Sequence, residues 1–217
     1  MTKKQRALAA VEALKKEYPD AQCSLTYKEP LQLLIATRLS AQCTDARVNM
    51  VTPALFKRFP TLDSFCEGSE EEIATYIHSC GLYKTKARDI FAMCQKLRSD
   101  FNGIVPDTIE VLTTLPGVGR KTANLVVGDI YHKPAIVADT HCIRICGRLG
   151  LTDGTKDPRK VENQLRAILP PDESNSFCHR LVLHGRAVCN ARKPLCEKCC
   201  MNEFCKTNLQ DPKGDKK

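Results

Sequence analysis

Four cysteines near the C-terminus, Cys189, Cys196, Cys199 and Cys205, follow the spacing C-x6-C-x2-C-x5-C. Four thiolates in so short a loop can enclose one metal centre and hold a segment that has no core of its own. By spacing alone a structural zinc ion suits the loop as well as an iron–sulfur cluster does. Cys200 adjoins Cys199 and competes with it as a ligand. A second stretch, Leu115-Pro116-Gly117-Val118-Gly119-Arg120-Lys121-Thr122-Ala123, reads as an anion-binding turn. Pro116 stops one helix, Val118 plugs the turn into the core, and Gly117 and Gly119 permit left-handed backbone angles and a close approach. Backbone N–H groups then point outward at the start of the next helix, beside the positive end of its dipole. A Walker A loop is excluded, since it needs glycine directly before the Lys-Thr pair and this chain has Arg120 there. With apolar helices on both sides the stretch is a helix–hairpin–helix, suited to DNA phosphate without regard to sequence. The competing reading, a plain structural corner, needs only one glycine.

The elements that must carry these residues are helical. Ala7, Leu8, Val11, Leu14 and Tyr18 recur at steps of three and four, and Leu31, Leu34, Ile35 and Leu39 follow Pro30 at a first helical position. Ser69 with Glu72 forms a capping-box pattern ahead of Ile73 and Ile77. Further helices are predicted over 84–99, 107–114, 120–131, 139–149, 158–169 and 174–188. No segment alternates with flanking turn pairs, so the expected fold is all-α. Asp139 stands at a helix start, where Asp is among the best N-caps.

Composition narrows the function classes. The chain has 217 residues, 42% hydrophobic and 27% charged, ordinary for a globular protein. A net charge of +8 suggests a polyanionic partner. Thirteen cysteines, an odd number with no export signal, argue against a secreted disulfide framework. The nine other than Cys189, Cys196, Cys199 and Cys205, with Cys200 among them, read for the most part as reduced, small core fillers. No apolar run is long enough to span a bilayer, and the N-terminus lacks the marks of a signal or transit peptide, so no membrane partner and a cytoplasmic location are expected. A monomer is expected, with a basic, disordered tail at 212–217.

The hairpin residues Leu115–Ala123 resemble those of the endonuclease III family of DNA glycosylases. That family opens its second hairpin helix with a lysine and follows it with Val-Ala-Asp-Thr-His. Both occur here, as Lys121 and as Val137-Ala138-Asp139-Thr140-His141. Leu39-Ser40-Ala41-Gln42 with Thr44-Asp45, and Gly81-Leu82-Tyr83 before Lys86-Ala87, match as well. The similarity runs from about residue 30 to residue 205, in the family's order.

The resemblance implies a helix–hairpin–helix glycosylase fold of two helical subdomains, 22–133 and a second built from 1–21 and 134–211. It implies a [4Fe–4S] cluster on Cys189, Cys196, Cys199 and Cys205; only Cys199, not Cys200, keeps both family intervals. It implies base-excision repair of damaged pyrimidines and abasic sites in double-stranded DNA. Lys121 is then the nucleophile that displaces the base and forms a Schiff base, permitting β-elimination of the 3′ phosphate. Arg120 and the positive helix end favour its neutral amine. Asp139 becomes a carboxylate that stabilises oxocarbenium character or relays protons, facing Lys121 across the family's cleft. A flipped base leaves a gap, which Gln42 and Leu82 match the positions to fill and wedge. Gly117, Val118, Gly119, Arg120, His141, Arg144, Arg148, Arg192 and Lys193 are the expected further DNA contacts. Two alternatives stand beside this reading: a non-catalytic DNA-binding module with a structural metal loop, and a monofunctional mismatch glycosylase, whose branches lack the lysine.

Overall fold

The computed structural model of the chain describes residues 1–210, and among them there is no strand. The lysine-rich tail at 212–217 lies outside the described residues. The described residues form twelve α-helices: α1 (Lys3–Glu17), α2 (Pro30–Ser40), α3 (Asp45–Arg58), α4 (Leu62–Glu67), α5 (Glu70–Ile77), α6 (Tyr83–Phe101), α7 (Ile109–Leu112), α8 (Arg120–Asp129), α9 (Thr140–Leu149), α10 (Pro158–Arg166), α11 (Ser174–Ala187) and α12 (Lys206–Gln210). Among the described residues no helix is long and apolar enough to cross a membrane. The contacts divide the chain into two compact units. One is Cys23–His132; the other joins Met1–Gln22 to the chain from Lys133 onward.

In the Cys23–His132 unit, α6 packs against α5 and α4, and α2 against α3 and α8. Leu33, Leu34, Leu39, Leu55, Ile73, Ile77, Ile90 and Leu97 are buried there, and Phe59 stacks on Phe65 with ring centroids 4.8 Å apart. Helix α3 was not among the expected helices, and Pro53 sits inside it with no N–H for the intrahelical ladder. Burial of Val48, Thr52 and Leu55 on one face holds it helical nonetheless. The predicted helix over 107–114 is cut to the four residues of α7. Thr113 and Thr114 turn their hydroxyls back to the carbonyls of Glu110 and Val111 at 2.9 and 2.8 Å, just ahead of Pro116. The capping box at Ser69 is half formed: its side chain accepts from Glu72 N, while the Glu72 carboxylate pairs with Arg58 at 2.6 Å.

In the other unit, α11 packs on α1 and α9. Thr2 and Gln5 form a reciprocal capping box at the start of α1, which buries Ala7, Ala10, Val11 and Leu14. Glu173 ties the two chain ends together, accepting from Lys15 of α1 at 2.6 Å and from Arg180 of α11 at 2.7 Å. Cys142, Cys146 and Cys178 are buried beside one another between α9 and α11, and none of the thirteen cysteines is in a disulfide.

Candidate DNA-processing site

The hairpin turn joins α7 to α8. Gly117 has φ +72°, and a β-carbon on it would lie 2.7 Å from Arg38 Nε. Glycine is therefore required twice, by the backbone angle and by the Arg38–Asp89 ion pair (2.6 Å) packed beneath the turn. Gly119 departs from the sequence expectation. Its backbone is extended (φ −92°, ψ 171°), and a β-carbon there would meet nothing within 4 Å. The reason left for glycine is the open space itself, which exposes the first-turn amides of α8. Gly119 is the N-cap of that helix and, with no side chain, caps none of them. Val118 is buried, as the plug of the turn must be. Arg120 and Lys121 open α8, and Lys121 is exposed.

Four non-glycine residues of the same unit have left-handed backbones: Gln42, Leu82, Asn102 and His132. Gln42 (φ +53°) and Leu82 (φ +59°) both adopt the left-handed conformation, which costs a non-glycine residue about 1–2 kcal/mol. Leu82 is 59% exposed, so core packing does not account for it. The two loops run side by side: a β-carbon on Gly81 would lie 3.4 Å from the Gln42 carbonyl oxygen. Lys86, completely buried one turn into α6, donates to the Leu39 carbonyl at 2.7 Å and so holds the end of α2 beneath them.

In the other unit, Asp139 caps α9, accepting from Cys142 N at 2.7 Å. His141 packs against Gly185, where a β-carbon would collide with it, and its Nδ1 lies 3.1 Å from Arg144 Nη2. The guanidinium groups of Arg144 and Arg148, expected at phosphate, are turned to the cysteine loop instead. Arg144 donates to the carbonyls of Cys189 (3.0 Å) and Gly185 (3.3 Å). Arg148 donates to those of Asn190 (2.7 Å) and Ala191 (2.8 Å), and its Nη1 lies 3.3 Å from Cys189 Sγ. A pair of arginines one helical turn apart thus fixes the loop's first limb. Arg192 and Lys193 are exposed on it, in a turn closed by Lys193 N to Asn190 Oδ1 at 2.8 Å.

Cys189, Cys196, Cys199 and Cys205 are all half-buried in this C-terminal loop. Burial pushes the Cys199 thiol up to about 12, and Cys200, Cys189 and Cys205 add to the effect through their proximity. Among the described residues no three His, Cys, Asp or Glu side chains are grouped to hold a single ion. The donor set itself, soft sulfur only with Arg148 touching two of its members, fits a sulfur-ligated centre and not a hard cation. Sequence reasoning missed His184. It is completely buried on α11, with Nδ1 3.3 Å from Tyr18 Oη and Nε2 3.4 Å from Cys199 Sγ, and burial lowers its pKa to about 4. A lone histidine in an apolar stripe gave no signal of that neighbourhood.

Glycine turn, helix start and cysteine loop together define a class. Residues 35–171 match the HhH-GPD superfamily of base excision DNA repair proteins. The chain is 48% identical to the endonuclease III of Synechocystis sp. over 205 residues, 94% of this chain and 93% of that one. It superimposes on two solved endonuclease III structures at 40% identity, each with a TM-score of 0.90. One, a trapped covalent intermediate of that enzyme with DNA, is matched over 97% of this chain and 99% of the other. The second, a non-covalent complex with DNA, is matched over 97% and 98%. The chain belongs to the endonuclease III family. It is a base-excision repair enzyme, a DNA glycosylase with AP lyase activity.

Proposed function

We propose that this enzyme removes oxidised pyrimidines from double-stranded DNA and cuts on the 3′ side of the resulting abasic site through a Schiff base on Lys121. The observation that carries the reading is the placement of Lys121: exposed, on the first turn of α8, directly after an open glycine turn. Backbone amides there bind phosphate, so the amine beside them is delivered to the adjoining sugar. The covalent trapping of a similar endonuclease III on DNA supports the same chemistry. Lys121 Nζ attacks C1′, the C1′–N bond breaks and the base leaves with a proton. The C1′–O4′ bond then breaks, O4′ taking up the proton that the amine gives up, and the resulting imine acidifies the C2′ proton, whose loss expels the 3′ phosphate. Asp139 keeps one carboxylate oxygen for Cys142 N and presents charge to the developing oxocarbenium or relays the protons. Gln42 and Leu82 fill and wedge the duplex where the base has left, which gives their strained backbones a purpose.

Gly117, Val118, Gly119, Arg120 and His141 are assigned to DNA contact, with Arg192 and Lys193 as a basic finger. Arg144 and Arg148 act on DNA through the loop they brace. Cys189, Cys196, Cys199 and Cys205 would hold a [4Fe–4S] cluster that ties the loop and supplies no step of the bond cleavage. The enzyme works as a cytoplasmic monomer.

Borohydride reduction tests the reading. Incubated with duplex DNA bearing an oxidised pyrimidine, the protein should become covalently linked to the DNA, and Lys121→Gln should not. Base release with no trapped adduct would reduce the enzyme to a monofunctional glycosylase and remove Lys121 from the mechanism.

A further inference from the structure

Cys43 and Cys80 have no part in the chemistry above, yet they occupy its two strained loops. Cys43 directly follows Gln42, and Cys80 stands two residues before Leu82. The loops touch at Gly81 and the Gln42 carbonyl, as described. Each cysteine closes a tight turn: Cys43 N donates to Ser40 O at 3.1 Å, and Cys80 N to Ile77 O at 2.8 Å. Both turns are therefore set by the ends of packed helices, α2 and α5. The Cys43 thiol is half-buried and open to a small solute, while Cys80 is completely buried. Burial first, then its neighbour Cys43, raises the pKa of Cys80 to about 11. The buried cation Lys86 and the exposed Arg47 face this pair. Of the two, only Cys43 reaches solvent, so peroxide meets it first.

We propose that Cys43 and Cys80 are a modification site, a thiol pair that peroxide converts to a disulfide fastening the Gln42 loop to the Leu82 loop. The consequence for DNA rests on the role given to Gln42 and Leu82 above; the covalent chemistry does not. The Cys43 thiolate attacks one oxygen of hydrogen peroxide and the O–O bond breaks. Hydroxide leaves, takes up a proton as water, and Cys43 is a sulfenic acid. The Cys80 sulfur then attacks the Cys43 sulfur; the S–O bond breaks, and the departing hydroxyl leaves as water with the Cys80 proton. Two electrons pass from the two thiols to one peroxide. Exogenous thiol reverses the bond by exchange, one thiolate at a time. Tied together, the two loops lose the independent movement that separating a base from its partner strand requires, and excision slows.

The experiment treats the intact protein with hydrogen peroxide, blocks remaining thiols by alkylation and maps peptides by mass spectrometry. A Cys43–Cys80 peptide pair, lighter by two hydrogens and lost on reduction, is expected. Excision of an oxidised pyrimidine should slow by about tenfold, recover with dithiothreitol, and be insensitive to peroxide in Cys43→Ala. Cys80→Ser provides a second variant if Cys43→Ala folds poorly. Loss of activity shared by wild type and Cys43→Ala reports oxidation elsewhere, the C-terminal loop included, and would overturn the loop effect. Sulfenic acid trapped on Cys43 with no cross-link would overturn the pairing. A cross-link that leaves excision unchanged would overturn the functional half. In that case the reduced Gln42→Ala and Leu82→Ala variants show whether the clamp or the wedge assignment has failed: normal excision by both indicts the wedge.

Discussion

Asp139 meets two demands with one carboxylate. The cap needs an acceptor for Cys142 N, which asparagine supplies about as well as aspartate. The proposed chemistry needs the negative charge, which asparagine lacks. Asp139→Asn should therefore hold its melting temperature while single-turnover excision falls by about two to four powers of ten. Asp139→Ala should lose about 1 kcal/mol of stability besides. Near-normal rates in the asparagine variant would leave Asp139 a helix cap and nothing more. Combined with Lys121→Gln, the defects should not add, because in the proposed mechanism both residues serve one transition state. The glycines of the hairpin part in a similar way. Gly117→Ala must take φ +72° against the Arg38–Asp89 pair and should cost about 2 kcal/mol in thermal or urea denaturation. Gly119→Ala has open space and an extended backbone, so it should cost at most about 1 kcal/mol, as a poorer N-cap. Its methyl would stand over the α8 amides and weaken binding to DNA. If Gly119→Ala bound DNA normally, the phosphate site would have to lie elsewhere.

Among the elements, the joining of the chain's two ends depends on Glu173. Hydrogen bonds from Lys15 and Arg180 hold its carboxyl below the ordinary glutamate value of 4.5. A depressed carboxylate contributes stability above its unfolded value and loses it as pH falls through the folded one. Glu173→Gln should thus lower stability at pH 7, by about 2 kcal/mol from the Arg180 side, where a guanidinium only 8% exposed loses its charged partner. The gap between variant and wild type should close below pH 4.5, and a gap that persisted there would assign Glu173 a packing role. Neither partner was legible in the sequence, since Lys15 and Glu173 stand far apart in the chain and no period links them. Legibility elsewhere followed burial. Val161, Leu165 and Leu169 recur at helical spacing because one face of the segment is buried. α3, with Pro53 inside it, was missed, and α7 was overestimated because two threonines bond backward to close it. The hairpin was readable because glycine and proline constrain the backbone locally. The work of Arg144 and Arg148 was not, because the loop they hold lies some 41 to 45 residues further along.

For the whole molecule the governing quantity is charge. A net charge of +8 attracts any polyanion, but binding falls with salt only as far as cations displace counterions from phosphate. The proposed contacts therefore separate by kind. Lys193 is exposed and is proposed to carry its charge to phosphate, so Lys193→Ala should reduce the slope of log affinity against log salt by about 0.9 on undamaged duplex. The amides behind Gly119 carry no net charge, so Gly119→Ala should weaken binding at every salt concentration with the slope unchanged. Arg144 hydrogen-bonds the carbonyls of Gly185 and Cys189. Arg144→Ala should leave the slope near that of wild type at first, but loosen the cysteine loop, seen as faster proteolysis within residues 189–205. If iron and sulfide are bound there, the visible colour should bleach sooner in that variant, and Cys199→Ser should lack it where Cys200→Ser keeps it. Should Arg144→Ala lower the slope as Lys193→Ala does while the loop stays intact, its guanidinium turns outward to meet DNA, and the bracing role belongs to Arg148 alone.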